Sequence, residues 1–123
     1  MSERNTVLLV DDNERFRESL AELLGSAGVE ICEASTGADA LCVAKRRALD
    51  LAILDLNLPD TTGVQVYSEI LAMRPTPCIF MTAEAEAPLV EEALEMHPLE
   101  LLRKPFELRA FRELVRRVLM GRK

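Results

Sequence analysis

Apolar runs of strand length alternate five times with stretches whose apolar residues recur at helical spacing. Thr6–Val10 reads as the first strand. Residues 14–27 follow with Phe16, Leu20, Leu23, Leu24 and Ala27 on one stripe, and Gly28 stands just past their end. Residues 29–33 read as a shorter, weaker strand. Ser35 or Thr36 can cap a helix running to about residue 47 that buries Ala40, Leu41 and Ala44. Residues 51–54 are the third strand. After a loop over 59–63, Val66, Tyr67, Ile70 and Leu71 make a helical face that ends before Pro75. The fourth strand, 78–81, precedes a helix with Leu89, Val90, Ala93 and Leu94 as its apolar residues. The fifth, 99–102, precedes a helix over about 107–120 that buries Leu108, Phe111, Leu114, Val115 and Val118.

This order predicts an α/β fold, (βα)5, with a doubly wound five-stranded parallel sheet. Strands one, three and four are apolar throughout, which marks strands covered on both faces. Alternating strands and helices imply right-handed crossovers and helices on both sides. In such sheets ligands bind beyond the carboxyl ends of the strands, at the topological switch point. Polar groups collect at those ends. Asp11 and Asp12 close the first strand, Asp55 the third, Thr82 the fourth, and Lys104 follows the fifth.

Each group has an ordinary reading when taken alone. Asp11-Asp12-Asn13 before a helix can be an N-cap, Thr82 a capping hydroxyl, and Lys104 before Pro105 a surface lysine. Asp55 fits a cap less well, since its helix starts eight or more residues later. What carries weight is that all five fall on one edge of one sheet. Two carboxylates about 4 Å apart repel by roughly 4 kcal/mol at an effective dielectric near 20. Three therefore need a cation or protons. Lys104 and one divalent cation balance them. Oxygen-only ligands with an incomplete protein shell suit Mg2+. Carboxylates, Mg2+, a lysine and a hydroxyl together suit a phosphoryl group, and an aspartate can itself be the nucleophile.

Composition limits the remaining choices. The 123 residues match one domain with a proper core, 49% of them apolar and 29% charged. No run is long enough to span a bilayer, and the polar start Met1-Ser2-Glu3-Arg4-Asn5-Thr6 lacks a signal-peptide core, so a cytoplasmic location is expected. Cys32, Cys42 and Cys78 form no C-x-x-C pair and read as small buried hydrophobes in a reducing compartment. His97, the only histidine, has no Cys beside it and reads as a turn residue rather than a metal ligand. The net charge of −6 argues against nucleic acid as a partner of the domain. From Arg103 onward the balance is +6, which leaves −12 elsewhere. That basic end fits a docking face or a solvated helix with an Arg-rich tail.

The motifs Leu8-Leu9-Val10-Asp11-Asp12, Asp55-Leu56-Asn57-Leu58-Pro59 with Gly63, Met81-Thr82-Ala83 and Lys104-Pro105-Phe106 stand in this order and spacing. In them the chain resembles, end to end, the receiver domain of bacterial two-component response regulators. Single-domain chemotaxis-type receivers are similar around Asn57 and Thr82-Ala83-Glu84. The resemblance implies a flavodoxin-like receiver fold over residues 1–123. Its strand order, 2-1-3-4-5, comes with the family, whose chemotaxis member is itself the standard example of that order.

The resemblance also implies roles. Asp55 accepts a phosphoryl group from a phosphohistidine on a sensor histidine kinase or phosphotransfer protein. Asp12, Asp55 and the Asn57 backbone carbonyl ligate Mg2+ (or Mn2+ in its place), with Asp11 acting through water. Lys104 pairs with a phosphoryl oxygen, Thr82 swings inward to another, and the Ala83 N–H assists. Asn57 and Glu84 tune hydrolysis of the acyl phosphate. The Lys104–Pro105 bond is expected to be cis on the family's account alone, since only about 5–6% of X–Pro bonds are. Such a domain is a switch that catalyses its own phosphorylation and dephosphorylation rather than an enzyme acting on other substrates. Phosphorylation would bias the face formed by the fourth helix, fifth strand and fifth helix, as a monomer or as a phosphorylation-dependent homodimer.

Two positions depart from the family pattern. Leu101 stands where an aromatic residue usually couples to the Thr movement, three positions before the lysine. Met96-His97-Pro98 replaces the usual glycine-containing end of the fourth helix. A residue before proline is pushed toward extended backbone, so we expect a non-standard turn without a left-handed His97. Leu101 leaves room for a second reading, a phosphorylation-independent interaction module. A third, a D-x-D phosphatase, conflicts with Asn57 at the second acidic position.

Overall fold

A computed structural model describes residues 4–83 and 87–121 of the chain. The elements are β1 (Thr6–Val10), α1 (Glu14–Gly25), β2 (Glu30–Ala34), α2 (Gly37–Arg46), β3 (Leu51–Asp55), α3 (Gly63–Met73), β4 (Cys78–Thr82), α4 (Ala87–Glu95), β5 (Glu100–Arg103) and α5 (Leu108–Met120). All neighbouring strands pair in parallel, in the order β2-β1-β3-β4-β5. The order reverses between β1 and β3, which places the switch point between the strands ending near Asp11 and at Asp55.

Two cores flank the sheet, and the two-residue period of a strand sorts side chains between them. Leu8, Val10, Ala52, Leu54, Cys78 and Phe80 face Ala40, Ala44, Val66, Tyr67, Ile70 and Ala93 of α2, α3 and α4. Val7, Leu9, Leu51, Ile53, Ile79 and Met81 face Leu20, Leu24, Phe111, Val115 and Leu119 of α1 and α5. Every residue of β1, β3 and β4 is buried. Full burial of a Val, Leu or Ile contributes about 1.5–3 kcal/mol, so these strands are the rigid floor of the fold. Tyr67 packs edge-on against Phe80 at 5.7 Å, and its hydroxyl donates to the Thr76 carbonyl at 2.5 Å.

Three helix starts, those of α1, α2 and α3, are capped by side chains. Asn13, Thr36 and Thr62 accept hydrogen bonds from Phe16, Asp39 and Gln65 N–H groups at 3.0, 3.0 and 3.1 Å. Gly63 opens α3 directly beneath the third strand. Its N–H donates to the Leu56 carbonyl at 2.9 Å, and a Cβ there would collide with the Asp55 carbonyl oxygen.

The structure corrects several expectations. His97 does adopt the left-handed conformation, with φ +56°. The helix closes through Met96 and His97 N–H groups to the Ala93 and Leu94 carbonyls, and the chain then turns at once so that Leu99 N–H reaches Cys78. Histidine is among the residues that tolerate positive φ, and the demands of closing α4 and starting β5 override the preference before proline. Ala27 lies past the end of α1 in a turn closed by Gly28 at φ +86°, and it is exposed. Leu71, Leu94 and Leu108 are exposed rather than buried. The seam of α5 runs through Phe111, Val115 and Leu119 at four-residue spacing, and Leu108 falls beside it. Of the cysteines only Cys78 is buried; Cys32 is half-buried and Cys42 exposed.

The contact beneath Gly63 sets a test. Gly63→Ala forces the start of α3 away from β3 and should cost about 1–3 kcal/mol. Urea unfolding at equilibrium measures it; a variant as stable as the parent would show that α3 shifts freely.

Candidate functional site

The carboxyl ends of β1, β3 and β5 meet at Lys104. Its Nζ donates to Asp11 Oδ2 at 2.7 Å and to Asp55 Oδ2 at 2.6 Å. Asp11 is fully buried and Asp55 nearly so, whereas Asp12 is exposed. The other oxygens of the buried pair are also placed: Asn13 N–H donates to Asp11 Oδ1 and Asn57 N–H to Asp55 Oδ1, both at 2.9 Å. Carboxylate oxygens of Asp11, Asp12 and Asp55 lie within 4.8 Å of one another. These residues line an open cleft of about 330 Å³ together with Asn13, Asn57, Ala83 and Lys104.

Three carboxylates share the cleft with one ammonium, and the pKa values of Asp55 and Lys104 are both shifted upward. Burial is the largest influence on Asp55 and raises its pKa. The Lys104 hydrogen bond, the Asn57 N–H and the Lys104 charge pull it down, Asp11 pushes it up, and the net direction is upward. Burial alone would lower Lys104, but its hydrogen bonds to Asp11 and Asp55 and their charges outweigh burial and raise it.

Thr82 is buried at the end of β4, and its carbonyl accepts from Lys104 N–H at 2.8 Å. Ala83, not Thr82, is among the residues that line the cleft. The Lys104–Pro105 peptide bond is cis. Leu101 is half-buried and packs against the α2–α3–α4 core. Glu84 lies outside the described residues.

Three supporting residues escaped the sequence reading. Arg17 donates to the Asp11 carbonyl at 2.7 Å and pairs with Glu33 at 2.8 Å, fixing the turn after β1. Asp60 accepts from the Gly37 and Ala38 N–H groups at 2.8 and 3.0 Å, so the loop after Asp55 caps α2. Those bonds hold the exposed Asp60 carboxyl below its ordinary range. The ring of Phe16 lies 4.6 Å from Lys104 Nζ. Asp60 follows a proline in a turn and Phe16 sits on an apolar stripe, so neither carried a signal of its own.

A protein-family model described as response regulator receiver domain matches residues 7–116. The transcriptional regulatory protein PdtaR of Mycobacterium tuberculosis is 36% identical over 103 residues, 83% of this chain and 50% of that protein. The chain thus spans about half the length of that relative. The non-phosphorylated receiver domain of HemR from Leptospira biflexa is 32% identical, with a TM-score of 0.86 over 94% of each chain. A CheY-like receiver domain protein from Methanospirillum hungatei JF-1 superimposes with a TM-score of 0.91 over 97% of this chain and 96% of that one; at 24% identity this likeness concerns the fold alone.

The raised pKa of Asp55 predicts a stability profile. The folded state holds this proton more tightly than the unfolded chain does. Its contribution is therefore present at acid pH and is lost as pH rises through the folded pKa. In metal-free buffer Asp55→Asn should remove that downward slope and gain on the parent as pH approaches neutrality. Denaturant midpoints across the acid range measure the difference; parallel profiles would contradict the assignment.

Proposed function

The chain belongs to the response regulator receiver-domain family of two-component signalling, and we propose that it is a Mg2+-dependent phosphoacceptor switch centred on Asp55. The observation that carries this reading is Lys104 bridging Asp11 and Asp55 at the floor of a cleft that also exposes Asp12. In this reading residues 1–123 form one cytoplasmic receiver domain, and its donor is a phosphohistidine on a sensor kinase or phosphotransfer protein.

The donor set fits a hard divalent cation. Asp12 and Asp55 offer carboxylate oxygens, Asn57 its backbone carbonyl, and Asp11 a further oxygen for a bound water. The ion, Mg2+ or Mn2+, would neutralise charge on the phosphoryl oxygens. The chain's own residues do the rest. One Asp55 oxygen bonds to phosphorus as the P–N bond breaks, its electron pair leaving with the imidazole. Desolvation keeps that carboxylate basic, and the Asn57 N–H aims it. Lys104 follows the charge from the carboxylate to a phosphoryl oxygen. The Ala83 N–H and Thr82 hydroxyl serve the remaining oxygens, and Asn57 with Glu84 controls access of hydrolytic water.

Phosphorylation adds about one negative charge at Asp55. Thr82 and Lys104 are joined main chain to main chain, so a shift of either moves the ends of β4 and β5 together. Leu94, Leu99 and Leu108 lie exposed on α4, before β5 and on α5. They suit a partner or a second copy docking on that face. Leu101 would act there by repacking, as it has no ring or hydroxyl to present.

Incubation with Mg2+ and acetyl phosphate should transfer a phosphoryl group to the protein, detected by intact-mass measurement and abolished by chelation or by Asp55→Asn. Absence of labelling would favour the phosphorylation-independent module, and turnover of small phosphoesters the phosphatase. Lys104 and a metal compete for the same carboxylates. Lys104→Met should therefore tighten Mg2+ binding by about tenfold, or 1.4 kcal/mol, while slowing phosphorylation. Calorimetry checks the first half, and weaker Mg2+ binding in this variant would count against the site.

A further inference from the structure

We propose that Phe16 is a positioning residue for Lys104, holding the ammonium over the cleft through its ring face when the carboxylates are taken by other partners. The inference rests on the phosphoacceptor reading above. Lys104 Nζ has two kinds of neighbour. One is the carboxylate pair, Asp11 Oδ2 and Asp55 Oδ2, at 2.7 and 2.6 Å. The other is the Phe16 ring, with its centroid 4.6 Å away. That distance is within the roughly 6 Å at which an aromatic face attracts a cation.

The two kinds of neighbour behave differently when the cleft is filled. A divalent cation draws on the same carboxylate oxygens that bind Lys104. Phosphorylation converts one of them into the bridging oxygen of an acyl phosphate. A lysine has a flexible four-carbon stem and three donors, so without those oxygens it is free to swing toward solvent. The ring contact does not depend on them. It remains while the carboxylates change hands, and it keeps the ammonium within reach of a phosphoryl oxygen.

The ring is itself fixed. Phe16 meets Phe106 edge to face, with centroids 5.6 Å apart and planes at 74°. Phe106 packs at 5.3 Å on Phe111, which is buried in the α1–α5 core. Three rings from α1, the segment after Lys104, and α5 thus make one cluster that reaches the ammonium. A Leu at position 16 would fill the space but present no negative face.

Ring electronics separate this role from packing. Phenylalanines carrying one or three ring fluorines are placed at position 16 of the full chain, because fluorine drains the ring face while almost preserving shape. Beryllofluoride binding in the presence of Mg2+, measured by calorimetry, should weaken stepwise, by about three- to tenfold for the trifluoro ring. Mg2+ affinity without beryllofluoride should stay at the parent value. Phe16→Leu should resemble the trifluoro protein, and Phe16→Trp should bind as the parent does. A flat series in a protein that binds beryllofluoride overturns the proposal, as does a parallel loss of Mg2+ affinity. If the parent itself binds no beryllofluoride, the phosphoacceptor reading falls and the proposal with it.

Discussion

The double ion pair of Lys104 is the constraint on which the rest depends. It joins residues 93 and 49 positions apart, at the ends of three strands, and does so with both carboxylates almost out of water. Leaving either partner of such a buried pair unmatched costs about 3–5 kcal/mol. The sheet must therefore deliver β1, β3 and β5 in register to within a hydrogen-bond length. The fully buried strands do that, because a slip of one residue would turn every side chain to the wrong core. The pair is also incomplete, since one lysine does not offset three carboxylates.

Most of the fold was legible because strands buried on both faces announce themselves. Val7-Leu8-Leu9-Val10 and Leu51-Ala52-Ile53-Leu54 admit no polar residue, and each ends in an aspartate. Helices were harder at their flanks. A helix lying on a sheet contacts it along a narrow seam, so Leu71 beside Ile70 and Leu94 beside Ala93 are apolar without being inside. The sequence pattern counts such neighbours as core because it records hydrophobicity and not the direction of approach. His97 shows the other limit. A preference before proline is local, and closing α4 while starting β5 is a tertiary demand that outweighs it.

At the site, the structure brings together four of the five groups that stand at strand ends, Asp11, Asp12, Asp55 and Lys104. Their helpers were not legible in the sequence. Arg17, Asp60 and Phe16 act through a backbone carbonyl, two backbone amides and a ring face, and none of those partners is visible in a string of residues. The same holds for Thr82. Its place in the chain suggested a group facing the cleft, whereas its side chain is buried in β4 and its carbonyl secures Lys104.

The loop between Asp55 and Gly63 is pinned at three points. Asp55 is held by Lys104, Asp60 by the start of α2, and Gly63 by the backbone of β3. Each anchor lies on a different element, and the spans between them are short. These anchors constrain the length of the loop as well as its side chains. Adding or deleting a single residue would put at least one anchor out of reach. The segment should thus resist insertion, the reverse of what surface loops usually allow.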